Sequence, residues 1–218
     1  SRFYRVALAG SAGGWRARGW ARRATPSMGV ALLYLGLSEP CGALPEHVIR
    51  IGADHRGHMR AVFRGGAAPA DLSLYLHRPA ATDPARAPVG RDALYALCPV
   101  PNLGGRAEWR EAAPALRTRM LEAIERAGLP GLRDRIVAER MRTPADFETD
   151  YASEAGSAFS LAPALLQSAW FRFHNRGEGV AGLYLAGAGA HPGAGLPAVL
   201  NSAKIVAGLA AAETRETA

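Results

Sequence analysis

From Met28 the chain runs through Val30, Leu32, Leu33, Tyr34 and Leu35 with almost no polar break. A strand-length run of this kind reads as a β-strand buried on both faces. Residues 47–51, 72–77 and 93–97 supply three more short apolar or alternating stretches, the last two closed by Arg78-Pro79 and by Pro99 and Pro101. Strands separated by Pro/Gly-rich turns predict a mixed or antiparallel sheet. Between the second and third of these strands, residues 54–63 predict one or two helical turns before the Gly65-Gly66 stop.

The period then changes. Across residues 107–127, Leu116, Met120 and Ile124 recur every fourth position with Leu121 beside them, which predicts an amphipathic helix. Glu122 and Arg126 are spaced for an i,i+4 pair on its wet side, and Gly128 and Pro130 end it. Residues 132–141 predict a second helix, stopped at Thr143-Pro144. Residues 151–181 show no period, although they are rich in aromatics and amides. Residues 182–186 predict a short apolar strand, followed by a glycine-rich turn and a helix over about 197–212. The fold class expected is mixed α/β. Its organisation divides into a basic, disordered segment over 1–26, a substrate region over 27–181 and a strand–helix unit over 182–218.

Composition narrows this picture in three ways. The 218 residues are 49% hydrophobic and 21% charged, which suits a chain with a real core. No apolar run approaches the roughly 18 residues of a membrane span. The net charge of +7 is concentrated in six arginines that no acid opposes before Glu39. A basic end on a nearly neutral body does not make a nucleic-acid surface. No secretory leader is expected from the first residues, which carry arginines throughout instead of an apolar run. Cys41 and Cys98 lack metal-site spacing, so neither a disulfide framework nor a metal site is expected, and the compartment implied is the reducing cytoplasm. The chain starts at Ser1 without a methionine and is expected to be a piece of something longer.

The segment that carries chemistry runs from Leu183 through Gly187, Ala188, Gly189, Ala190, His191, Pro192, Gly193, Ala194, Gly195, Leu196 and Pro197 into Asn201-Ser202. A strand, a turn of four glycines and a helix opening near a proline bring backbone N–H groups against a ligand, because glycine permits positive φ and has no Cβ to block approach. A Walker loop is excluded, since no Lys-Ser or Lys-Thr follows. The spacing is GxGxxxG and the chain ends just after the helix, so the segment does not open a dinucleotide-binding unit. It can end one, as the last strand and helix of a flavoprotein; the alternative is a glycine turn with no ligand.

At this point the order of motifs becomes recognisable. Ser73-Leu74-Tyr75-Leu76-His77-Arg78-Pro79, Ala81-Thr82-Asp83-Pro84, Pro99-Val100-Pro101-Asn102-Leu103, Pro130-Gly131-Leu132-Arg133, Gly156-Ser157-Ala158-Phe159-Ser160 and Gln167-Ser168-Ala169-Trp170-Phe171-Arg172 with His174-Asn175-Arg176 together resemble the bacterial phytoene desaturases. The likeness runs in order from about Ser27 to Leu209 and leaves residues 1–26 unmatched. It implies an FAD-dependent carotenoid desaturase, passing hydride from a polyene to the flavin and present here as a C-terminal part that is inactive alone. It also implies a tunnel lined by apolar side chains and a peripheral position at the cytoplasmic face of a membrane. The residues that match the family's flavin motif are Gly187, Ala188, Gly189, His191, Pro192, Gly193, Gly195, Leu196 and Pro197. The residues usually held catalytic in that family lie before anything in this chain, so none is assigned. Ala190 stands where a hydroxyl residue is usual, and Phe173 where proline is usual. A non-enzymatic reading stays open: a degenerate remnant, or a module that binds apolar lipid.

The remaining candidates have plainer readings. His191 shapes the turn, and His77-Arg78-Pro79 fixes a corner. Trp170, Phe171 and Phe173 are core aromatics, with tunnel lining as the alternative. His55 and His58, spaced i,i+3, could share a metal only with a third ligand that the sequence does not offer. Asp83 before Pro84 forms a turn.

Overall fold

The computed structural model describes residue 19 and residues 22–42, 44–64, 70–104 and 109–216. These form two compact units, Met28–Gly156 on one side and Ser157–Ala218 together with Ser1–Ser27 on the other.

The first unit is a five-stranded sheet in the order β2-β3-β4-β1-β5, where β1 is Gly29–Leu37, β2 His47–Arg50, β3 Leu74–His77, β4 Asp92–Val100 and β5 Ile136–Arg142. Every pairing is antiparallel, as the Pro/Gly turns predict. The first two helices of this unit are α1, His55–Arg64, nearly three turns where one or two were expected, and α2, Trp109–Arg126. Alternation along β1 and β4 sends Ala31, Leu33, Leu35, Leu37, Leu94, Ala96, Cys98 and Val100 into one core with Leu116, Met120, Leu121 and Ile124 of α2. The predicted helical stripe of α2 is therefore its buried face.

Strand β4 runs through Pro99, which had read as its end. A strand residue's C=O and N–H point to the same side, and the Pro99 C=O accepts from His58 Nε2 at 3.0 Å. The missing donor thus lies on the α1 side, beyond the last β3 pairing at Leu97, and no ladder bond is lost.

Three expectations fail. Residues 132–141 are not a helix: Leu132–Arg135 make one 3₁₀ turn, and Ile136–Arg142 pair with β1 as an edge strand. Backbone pairing to an open sheet edge outweighs the local preference of a mostly exposed segment. Thr143-Pro144 does not stop anything; it opens helix α3, Pro144–Tyr151, with proline in the first turn. Asp146 accepts hydrogen bonds from the Thr143 N–H at 2.6 Å and from its hydroxyl at 2.8 Å. Finally, Glu122 and Arg126 pair outward, Glu122 with Arg133 at 3.6 Å and Arg126 with Asp71 at 3.3 Å, because neighbouring elements offer charges within reach.

In the second unit, residues 157–195 are irregular with short 3₁₀ turns and isolated bridges, and α4 spans Leu196–Glu216. The expected strand over 182–186 does not form. Only Tyr184 makes a bridge, to Arg176, since no strand is laid beside this segment among the described residues. The basic start lies mostly outside the described residues. Its end is ordered: the Gln167 amide exchanges bonds of 3.1 Å with both Thr25 N–H and C=O, and Pro26 bridges Leu161.

Candidate functional site

In the second unit, the glycine turn is held from behind by buried polar side chains. Asn175 Nδ2 lies 3.0 Å from the Leu185 carbonyl, the His191 carbonyl and Ser202 Oγ, tying the entry to the turn, its middle and helix α4 together. Ser202 Oγ also accepts from the Gly187 N–H at 3.2 Å. Arg172, 6% exposed, donates to the Ala188 carbonyl at 2.5 Å and the Leu161 carbonyl at 3.3 Å. Burial pulls its pKa down from the ordinary value.

The turn itself needs its glycines. Gly187, Gly193 and Gly195 have φ of 108°, 139° and 98°, a region that costs any other residue strain. At Gly187 and Gly195 an added Cβ would meet open space, so these backbones face outward free of their own chain. At Gly193 it would come 3.0 Å from Arg172 Nε, and at Gly189 2.9 Å from Ser160 Oγ. Helix α4 begins at Leu196, and its first intrahelical bond is Val199 N–H to the Gly195 carbonyl at 2.9 Å. The N–H groups of Leu196 and Ala198 therefore have no acceptor within the helix. Together these make a stretch of backbone with outward N–H donors and a positive helix end, which suits an electron-rich, partly anionic ligand such as a flavin. Ala188 and Pro192 complete the same loop. His191 is used structurally: its Nδ1 bonds the Ala169 carbonyl at 2.9 Å, and its ring packs edge-on to Trp170 at 6.1 Å. Of the three aromatics expected in the core, only Phe173 is buried; Trp170 and Phe171 are at the surface.

In the first unit, the sheet face opposite the helical core carries a strip of rings that sequence reading passed over. Tyr34 of β1 and Tyr95 of β4 are register partners with centroids 5.2 Å apart. Tyr75 meets Tyr95 at 6.2 Å, and His77 lies 6.4 Å from Tyr75 and 4.7 Å from His47. Tyr34, Leu35, Gly36, His77, Pro79 and Tyr95 line an open groove of about 520 Å³. A neighbouring groove of about 440 Å³ adds Leu32, Phe147 and Tyr151. Tyr34 is 43% exposed, an unusual position for an aromatic in the centre of a sheet. Burial, reinforced by the two neighbouring tyrosines, pushes the Tyr95 hydroxyl up to about 12, so it stays neutral. The signal was present as i,i+2 alternation: Tyr75 and His77, and Ala93, Tyr95 and Leu97, share a face that the core residues between them do not.

The other candidates are structural. Arg78 fixes the corner, with Nε 2.7 Å from Asp92 and Nη1 2.9 Å from the carbonyls of Gly42 and Leu44. Asp83 caps its turn by accepting from the Ala85 N–H. His55 and His58 do not share a metal: His55 bonds Ser73 Oγ at 2.9 Å, while His58 is buried between the Ser73 N–H and the Pro99 carbonyl. Both cysteines are free and buried; burial pushes Cys41 up to about 11, with Asp92 adding to it, and Cys98 up to about 12.

No family model matches the chain. Individual proteins do. A lycopene-forming phytoene desaturase of Pseudescherichia vulneris is 46% identical over 188 residues, 86% of this chain and 38% of that enzyme. A neurosporene-forming phytoene desaturase of Rhodobacter capsulatus is 43% identical over 186 residues, 83% of this chain and 36% of that enzyme. A 4,4'-diapophytoene desaturase of Methylomonas is 37% identical over 179 residues, 82% of this chain and 35% of that enzyme. The chain thus spans little more than a third of the length of the curated relatives it matches, and the match is to their C-terminal part. Among solved structures, an oxidoreductase from Methanosarcina mazei superimposes with a TM-score of 0.54 over 88% of this chain and 36% of its own, at 14% identity. That likeness speaks for the fold.

Proposed function

We propose that this chain, a homologue of the C-terminal part of the bacterial carotenoid desaturases, contributes substrate-binding and flavin-contacting surfaces to an FAD-dependent desaturase of phytoene or a related carotenoid. The observation that carries the reading is 46% identity over 188 residues to an enzyme whose name states that activity. The geometry is compatible with it in each unit taken separately.

A polyene has no polar handle, so the chain's work on it is to bind by apolar area, to hold it in one orientation and to exclude water. Tyr34, Tyr95 and Pro79 in the groove, with Tyr75 beside Tyr95, offer an apolar surface for that purpose. The turn at Gly187, Ala188, Gly189, His191, Pro192, Gly193, Gly195, Leu196 and Pro197 would hold the flavin by backbone contact, its shape kept by Asn175, Arg172 and Ser202. Bound FAD would supply the hydride acceptor that no side chain can provide. Because the substrate is insoluble in water, it has to be drawn from an apolar phase, and contact with a membrane surface belongs to the same proposal. Among the described residues no helix is long and apolar enough to cross a membrane.

The test is a chimera carrying this chain behind the N-terminal part of the Pseudescherichia vulneris enzyme. It should purify with bound flavin and convert colourless phytoene to coloured products, and Gly195→Val should lower its flavin content. A folded chimera without flavin and without product would overturn the proposal. A second reading, an apolar-lipid module without redox chemistry, is favoured by the groove standing complete within one unit; a chimera that retains carotenoid but never oxidises it would support that reading instead.

A further inference from the structure

The ring strip ends at the edge of the sheet in a cluster used neither by the glycine turn nor by a catalytic proposal. His47 on β2 and His77 on β3 are directly opposed partners, so their side chains leave the same face, and their rings stack 4.7 Å apart. Glu46, the residue before β2, places Oε1 3.7 Å from His47 Nε2 and 3.5 Å from His77 Nε2. One donor atom from each of the three lies within 4.8 Å of the others. In a tetrahedral zinc site with bonds of roughly 2.0–2.1 Å, donor atoms stand about 3.4 Å apart. Each Glu–His edge therefore has to shorten by no more than a few tenths of an ångström.

The outer contacts point the same way. His47 Nδ1 is 2.8 Å from the Tyr75 hydroxyl; with that nitrogen as donor, the Nε2 lone pair is turned toward Glu46. The other oxygen of Glu46 accepts from the Thr82 hydroxyl. Oriented imidazole backed by a hydrogen-bonded carboxylate is how proteins prepare a metal ligand.

We propose that Glu46, His47 and His77 form a binding site for a divalent zinc-type ion that clips edge strand β2 to β3. Two imidazoles with one carboxylate select zinc, cobalt, nickel or copper over magnesium and calcium, which take oxygen ligands. All three side chains are accessible, so an ion can enter without unfolding the strand pair. His77 also lines the apolar groove, so an occupied site fixes one end of that groove. The proposal does not depend on the desaturase reading.

The experiment is equilibrium dialysis and calorimetry of the purified 218-residue chain with zinc chloride, and magnesium chloride as control. One zinc should bind per chain and magnesium should not. His47→Ala and His77→Ala should abolish or weaken binding by more than the roughly 10-fold expected for Tyr75→Phe, which removes only an outer partner. His174→Ala should leave it unchanged. Cobalt provides a readout independent of variant folding, since a four-coordinate ion gives an intense visible spectrum that zinc displaces. No zinc binding by the parent chain, or equal binding by the two histidine variants, would show that the cluster is a solvated ion pair and overturn the proposal.

Discussion

Asp92 sits where three demands meet. Its side chain is 1% exposed, and it accepts from Arg78, from the Cys41 N–H at 2.8 Å and from the Ala93 N–H at 2.9 Å. Burial alone would raise its pKa, but these donors outweigh burial and hold the carboxyl below the usual range. A carboxyl held low contributes stability that is present above the unfolded carboxylate range and lost as pH falls through the folded value. His58 works in the same direction: burial keeps it neutral, so its contribution is present above the ordinary histidine value and fades as pH drops below it. Acidification should therefore weaken the fold in two stages, His58 first and Asp92 second. Asp92→Asn leaves a buried guanidinium without its carboxylate and is expected to cost about 3 kcal/mol at neutral pH while flattening the second stage only. Urea unfolding across a pH series checks both statements; a variant that keeps the parent's acid limb contradicts them. The sequence located the Arg78 corner but not Asp92, because a charge at the start of a strand looks solvated until its partners, 14 and 51 positions away, are known.

At the scale of elements, the strands were legible because long apolar runs and Pro/Gly turns are local signals. Helix α2 was legible because its stripe repeats over many residues. Residues 132–141 were not: Leu132, Ile136 and Met141 are spaced closely enough to a helical stripe, and the partner that makes Ile136–Arg142 a strand lies about a hundred residues earlier. The strand of 182–186 failed for the converse reason, an apolar segment with no neighbour among the described residues. Thr143-Pro144 shows that one dipeptide can read as a stop or as a start. Removing the Asp146 carboxylate is the sharper test of the start. Asp146→Ala deletes both bonds to Thr143 and should destabilise the first unit by about 1–2 kcal/mol, measured by chemical unfolding. A neutral result would mean that pairing with β1, not the cap, decides where α3 begins.

At the scale of the whole molecule, the two units differ in how they are held. Among the described residues, the contiguous hydrophobic core is drawn from Met28–Gly156. Among its described residues, the other unit buries few apolar side chains, Leu161, Phe173, Ala24 and Ala190 among them, and uses Asn175, Gln167 and Arg172 as buried polar ties. Residues 28–156 expressed alone should fold and unfold cooperatively, whereas 157–218 alone should not; circular dichroism with urea titration distinguishes the two, and a cooperative transition in the shorter piece would refute this account. The open face of the sheet has one more consequence. Edge strand β5 is marked with Glu139, Arg140 and Arg142, and β2 is only four residues long, so neither border invites another strand. Chains that meet through the tyrosine-lined face close two such faces on each other and leave nothing there to add a third. Light scattering of a concentrated preparation should therefore stop at the mass of a dimer and return to the monomer on dilution, without seeding fibres.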